Sequence, residues 1–489
     1  MTTLQHDEAF GRPRLSLSGV LAQSVGFMGP VFSLAALLPL IVGQSATGRG
    51  AGVATPLAIL IAGAGVFGAG WIIAQYAKRI HLCGSLYEYI CDAAGTRAGI
   101  VAGWLYYGAM LILGVANFLV LGGQTEGFLQ SAFKTDVPWW PLSLGFVALV
   151  TAIVVVGVRF SVRAQLILVL ISAAVVLGFS VYIIGRGGLG GHSVSLRPFN
   201  PGAVGRLDLL YGVLYGINMF IGFETAANLA EETDNPKRHV PRAVLLSLTI
   251  VGAYFLLTAY AQDAGFGMNA ASWKNSEFPL QALASGTFGS AGFGNFMYVL
   301  IILDILAVAI GTGVAVTRGM LAMARAGRLP ALLATVHRRY QTPVAGALVL
   351  AGLSAVIIIG VWATNGFFAL NGGPQWLPMF SWMAGIGGTG LAVMYFAISV
   401  TGIRGLWQHV SRPKLIVAGA AGIMVAAGAV FGAVYKAPSP LNSVPWVIGG
   451  WIVLGVLWSY YAMRREPAPA SAVAPVIVPG TSTSAEETR

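Results

Sequence analysis

Charge is what this sequence lacks most. Of its 489 residues only 9% are Asp, Glu, Lys or Arg, against roughly 25% in soluble domains. The water-facing surface of several soluble domains is missing, which excludes a purely soluble enzyme. Cysteine is nearly absent too. Cys83 and Cys91 are the two present, and a reducing compartment would disfavour a disulfide between them. Even with nearby His81 they fall short of the four ligands of a structural zinc site, so both read as ordinary apolar residues. No metal and no cofactor is expected. Histidine is missing from the apolar runs altogether: His6, His81, His192, His239, His337 and His409 all lie outside them. A membrane-buried serine such as Ser24 or Ser33 therefore has no base in reach for nucleophilic chemistry.

What is present is apolar sequence, at 56% of the chain. A helical crossing of a bilayer takes about 20 mostly apolar residues. Twelve such runs occur, at 17–43, 51–77, 97–124, 137–158, 164–185, 208–230, 240–263, 287–317, 344–364, 376–402, 415–436 and 445–463. The first is too long, and too well followed by others, to be a cleaved signal peptide. The fold class is all-α integral membrane, in a multi-pass chain.

A net charge of +11 would suggest nucleic acid as partner of a soluble protein, but here its placement matters more. Twenty Lys and Arg residues fall in alternate loops on one side and seven on the other, with Arg489 alone outside the tally. By the positive-inside rule both termini are cytoplasmic, as an even number of spans requires. The partner is the lipid bilayer of the cell membrane, with no role for nucleic acid.

Three regions follow: a cytoplasmic N-terminus at 1–14, a membrane domain at 15–465, and a tail at 466–489. The tail is rich in Ala, Pro, Ser and Thr and has no hydrophobic period, so it is expected to be disordered. Gly63, Gly65 and Gly68 match a dinucleotide fingerprint, but within a span small residues serve close helix approach instead. The segment from Thr317 to Arg339 reads as the end of the eighth helix and then a short amphipathic surface helix, or as a solvated basic loop.

Two runs carry helix breakers near their middles. In the first, Gly26, Phe27, Met28 and Gly29 precede Pro30, which removes an amide donor and clashes with the preceding turn. In the sixth, Asn218, Met219, Phe220, Ile221, Gly222 and Phe223 precede Glu224. Backbone freed inside a bilayer must be satisfied by protein, water or ligand, and corresponding interrupted helices point to a transporter's binding site. The first and sixth runs are five apart. That suggests repeat 1 at about 17–185, repeat 2 of opposite orientation at about 208–402, and accessory helices at about 415–463.

The stretches Gly222-Phe223-Glu224 with Ala230 to Ala243, Arg318 to Pro330 with Thr342-Pro343, and Gly84 to Ile90 with Gly103-Trp104 resemble the amino acid permeases of the amino acid, polyamine and organocation (APC) superfamily. The resemblance implies a five-plus-five inverted-repeat fold with discontinuous helices 1 and 6, and uptake or exchange of amino acids. Backbone amides around Met28 and Gly29 then hold the substrate carboxylate, and carbonyls around Phe220, Ile221 and Gly222 its ammonium. Many relatives place an aromatic gate where this chain has Asn218. Either that amide meets a polar substrate while Phe220 or Phe223 occludes it, or neighbouring helices satisfy it. Alignment through Gln165 puts Ser172 where some proton-driven relatives have a lysine, leaving sodium, another proton carrier or uncoupled exchange.

Glu224 and Asp304 are the acids well within runs, and such residues are functional candidates; the alternative for each is a carboxylate capped by amides or hydroxyls. Glu231, Glu232 and Asp234 beside Lys237, Arg238 and Arg242 form a mixed cluster, either a gate or a solvated loop. The expected function is a secondary active amino acid transporter working by alternating access, coupled to a proton or sodium. A polyamine or other organic-amine transporter of the same fold is the alternative, and a channel or non-transport membrane protein is the alternative of another class.

Overall fold

The computed structural model describes residues 15–44, 48–276, 278–337, 339–366, 374–435 and 439–464. The expected N-terminal segment 1–14 and the expected disordered tail 466–489 lie outside them. Among the described residues the chain is helical, with one isolated bridge between Leu15 and Thr233. Twelve helices are long and apolar enough to cross a membrane: spans 1 to 12 run over Leu17–Ala36, Gly52–Ala77, Thr96–Phe133, Trp139–Val156, Val158–Gly191, Arg206–Glu232, Pro236–Gly265, Ala291–Arg325, Val344–Ala363, Trp376–Gly405, Arg412–Ala433 and Leu441–Arg464. The protein is a multi-pass membrane protein of the expected fold class.

Spans 3 and 8 outrun their apolar stretches, reaching Phe133 and Arg325. At 1.5 Å per residue the 38 residues of span 3 extend about 57 Å, well beyond the ~30 Å of a hydrocarbon core. Both helices form the centre of the bundle, span 3 packing on span 10 and on span 8. Spans 11 and 12 stand outside the ten-helix repeat pair, span 11 against spans 2 and 10 and span 12 along span 3.

The glycines of the fingerprint pattern serve packing. A side chain on Gly63 would meet the Phe220 ring, one on Gly65 would meet Val425, and one on Gly68 would meet Ala418 and Ala421. After span 8 the described residues form a loop, the second of the two expected readings, not an amphipathic surface helix. Gly327 turns the chain, and Pro330 is followed by a single 3-10 turn, Ala331–Ala334.

The short helix Leu86–Ala94 lies between spans 2 and 3. There burial, with a further push from Glu231, raises the Glu88 carboxyl from 4.5 to about 7. The folded state therefore binds a proton more tightly than the unfolded chain. The cost of ionising Glu88 is fully present above pH 7 and is relieved as pH falls from about 7 toward 4.5. Glu88→Gln should raise thermal stability at pH 8 and flatten the difference between melting at pH 8 and at pH 5. An unchanged difference would show that Glu88 is solvated.

Candidate functional site

Span 1 is two helices, Leu17–Met28 and Pro30–Ala36, joined at Gly29. Pro30 excludes its predecessor from the right-handed helical region, and Gly29 takes φ 55°, ψ 73°, which glycine adopts without penalty. Span 6 is likewise split. Its first helix, Arg206–Asn218, tightens into 3-10 bonds from Met219, Phe220 and Ile221. Gly222 then turns at φ 112° and a 3-10 helix continues over Phe223–Glu232. The two breaks meet: a side chain on Gly222 would overlap the Phe27 ring. Ser24 ties the halves together, donating to the Phe223 carbonyl at 2.7 Å and accepting from the Ala226 amide at 3.1 Å.

Each break is gripped by a fully buried carboxylate. Asp304 of span 8 accepts the amides of Val31 and Phe32 on one oxygen, at 3.0 and 2.9 Å, and the Ser172 hydroxyl of span 5 on the other, at 2.9 Å. Glu224 accepts the Gly222 amide at 3.2 Å, the Tyr395 hydroxyl of span 10 at 2.7 Å and the Tyr106 hydroxyl of span 3 at 3.4 Å. The pattern follows the repeat. The first break is held from spans 5 and 8, and the sixth from spans 10 and 3, their counterparts when the chain is shifted by five helices. These oxygens satisfy part of the backbone that the breaks release.

The residues expected to bind substrate divide accordingly. Phe27 and Gly222 meet where the breaks approach, with Phe223 tied there to Ser24 and tilted against Tyr395, ring centroids 5.2 Å apart, while Gly29 faces Val308 and Asp304 of span 8 and Met28 is buried beside it. Ile221 reaches toward Gly388 of span 10. Gly26 instead accommodates the Gln165 side chain of span 5. Phe220 packs against Gly63 of span 2 and Gly252 of span 7, edge-on to Phe255 with ring centroids 5.5 Å apart. Asn218 is half-buried, near Gly388, and its side chain bonds to no described residue. Sequence reasoning missed Tyr106 and Tyr395, because a tyrosine in an apolar run signals nothing until its partner is known. It also missed two amides: Gln165 donates to the Ala307 carbonyl at 3.1 Å, and Gln23 to that of Gly311 at 2.9 Å.

At the end of the bundle carrying the basic loops, Arg318 and Glu232 form a buried ion pair at 2.8 Å. Arg325 pairs with Glu231 at 3.0 Å, and Glu231 also accepts the Cys83 amide at 2.9 Å. Asp234 bonds to His239, and Leu15 bridges to the backbone of Glu232 and Asp234. Thus Glu231 and Glu232 find their partners on span 8, not among the adjacent Lys237, Arg238 and Arg242.

The sequence pattern of the family described as "Amino acid permease" matches residues 26–404, which include both breaks, both gripping acids and the span 8 arginines at 318 and 325. The chain belongs to the amino acid permease family. This permease is similar to the low-affinity putrescine importer PlaP of Escherichia coli (strain K12), 26% identical over 289 residues, or 58% of this chain and 62% of the importer. The methylthioribose transporter of Bacillus subtilis (strain 168) is 26% identical over 343 residues, 66% of this chain and 72% of its own. The human Asc-type amino acid transporter 1 is 27% identical over 329 residues, 63% and 59% of the two chains. The matched region thus spans about three fifths of the putrescine importer and of the Asc-type transporter. All three relatives are transporters, not enzymes.

Proposed function

We propose that this permease is a secondary active transporter that carries an amino acid across the cytoplasmic membrane by alternating access, with both termini in the cytoplasm. The observation that supports it best is the pair of interrupted helices meeting at mid-span, each held by a buried acid: Asp304 from span 8 at the first break, and span 6's own Glu224, tied to Tyr106 of span 3 and Tyr395 of span 10, at the second. Such an arrangement releases backbone groups to a small polar solute, and it lets one repeat rock against the other around a fixed site. Transport is coupled to a cation, proton or sodium, with Glu224 and Asp304 as coupling residues.

A second reading, an organic amine without a carboxylate, is favoured by one observation. The amides of Val31 and Phe32 are already taken by Asp304, so a second carboxylate there meets like charge, whereas an ammonium meets an opposite one. The similarity to a putrescine importer agrees with this reading.

Counterflow in liposomes of purified protein, with no ion gradient imposed, tests both readings. Saturable exchange of labelled amino acids supports the first and exchange of putrescine alone the second. No exchange across a panel of both, from folded protein, overturns the transporter assignment. Glu224→Gln should retain substrate binding while flattening the pH dependence of transport. An unchanged pH profile removes Glu224 from coupling.

A further inference from the structure

Away from the breaks, a groove of about 480 Å³ opens on the side of the bundle between the ends of spans 10 and 11. Its lining changes character along its length. At one end are Val400 and Ile403 of span 10 and Ile423 of span 11; at the other are Arg404, Trp407, Gln408 and His409. Val400 lies five residues before the end of span 10 at Gly405, about 7.5 Å along the helix, and the turn that follows carries Trp407. The apolar end lies at membrane depth on a lipid-facing surface: Val400 is 43% exposed, and Val417 and Met424 on the neighbouring face of span 11 are 69% and 68% exposed. Ile403 both lines the groove and packs against Gly419, where the two helices approach closely.

The polar end is basic; the acid nearest it along the packed helices is Asp92, next to the Ala93 that packs on Gly405, and it is paired with Arg79. Arg404, Gln408 and His409 are exposed, and their side chains bond to no described residue. Arg412 lies over the Trp407 ring at 5.2 Å, and Lys414 follows two residues on, in the first turn of span 11. The sequence carries no acidic residue between Asp304 and Glu466, so spans 9 to 12 contribute no carboxylate to this region. The cleft is thus cationic beside the headgroup level, apolar beneath it, and open toward lipid. A guanidinium is suited to phosphate through its paired donors, and basic pockets between membrane helices favour anionic headgroups.

We propose that this groove binds an anionic phospholipid, its phosphate on Arg404 and the basic loop, and one acyl chain along Val400, Ile403 and Ile423. Trp407 then sits at the interface, where its amphipathic ring is favoured.

Native mass spectrometry of the full chain, with phosphatidylglycerol or phosphatidylcholine of the same acyl chains added in turn, tests the proposal. One phosphatidylglycerol should bind about tenfold more tightly than phosphatidylcholine. Arg404→Gln should weaken phosphatidylglycerol about fivefold, the effect of one basic residue at a membrane surface, and leave phosphatidylcholine unchanged. Arg404→Lys, which keeps the charge, should restore most of the difference. Ile423→Trp, filling the apolar end, should weaken phosphatidylglycerol with the basic residues intact. Equal affinity of the parent protein for the two lipids overturns the proposal, as does an Arg404→Gln protein that keeps its preference. Full competition by glycerol 3-phosphate at the same concentration overturns it as well, because the groove would then hold an anion without a chain.

Discussion

Glu232→Ala should destabilise the folded protein by about 3–5 kcal/mol, the cost of stranding one charge of a buried pair. The Arg318 side chain is fully buried, and Glu232 accepts from its Nε at 2.8 Å and its Nη2 at 3.5 Å. Among the described residues, the Thr317 hydroxyl, at 3.1 Å, alone remains to receive the guanidinium. Replacing both partners with apolar residues, Glu232→Leu with Arg318→Met, should recover most of the loss, since a buried pair contributes little beyond its own desolvation. Thermal melting of the two single variants and the double variant measures the coupling. Equal stability of parent and Glu232→Ala would mean the pair is open in the purified protein. The same pair ties span 6 to span 8 at the basic end, so its loss should loosen that end. Cys83 reports this directly: it is 1% exposed, and burial pushes its thiol up from its ordinary range, which keeps it unreactive. In a Cys91→Ser background, Glu232→Ala should speed thiol labelling of Cys83.

That pair also marks the limit of what the sequence makes legible. The twelve spans follow from apolar run length, because a bilayer imposes a minimum that composition displays. The breaks follow from local chemistry, since Pro30 removes an amide donor after Gly29 and both Gly29 and Gly222 let the backbone leave the helix at little cost. Glu224 and Asp304 stand out because a charge in an apolar run is costly. Their partners are another matter. Ser172 and Asp304 are 132 residues apart, and Tyr395 and Glu224 are 171 apart, so no local pattern joins them. Proximity along the chain misleads as well. Glu231 and Glu232 lie beside Lys237 and Arg238, yet they pair with Arg325 and Arg318, 94 and 86 residues away. The available signal was the seven-residue spacing of those arginines, which places them two turns apart on one helix face. Gly26 shows the complementary difficulty. A glycine beside a break reads as substrate-facing, and only the packed structure reveals the Gln165 side chain against it.

Gly29→Leu should abolish uptake while leaving membrane insertion intact. Two costs coincide at this position. The left-handed conformation at φ 55° disfavours any residue with a side chain by roughly 1–2 kcal/mol. A Cβ there would also overlap the Val308 side chain and stand 3.3 Å from the Asp304 oxygen that holds Val31 and Phe32. The turn or the carboxylate must move, and either movement unseats the second half of span 1 from its grip. Insertion depends on the hydropathy of the run, which leucine increases, so the protein should still reach the membrane. Gly29→Asn separates the two costs, because asparagine tolerates the left-handed region but still carries the Cβ that meets Val308. If space decides, Gly29→Asn is as inactive as Gly29→Leu; if conformation decides, it keeps measurable exchange. Counterflow in liposomes, normalised to folded protein, distinguishes the two. Full exchange by Gly29→Leu would place the transport path away from the span 1 break, because no substrate could cross there past a turn forced out of shape.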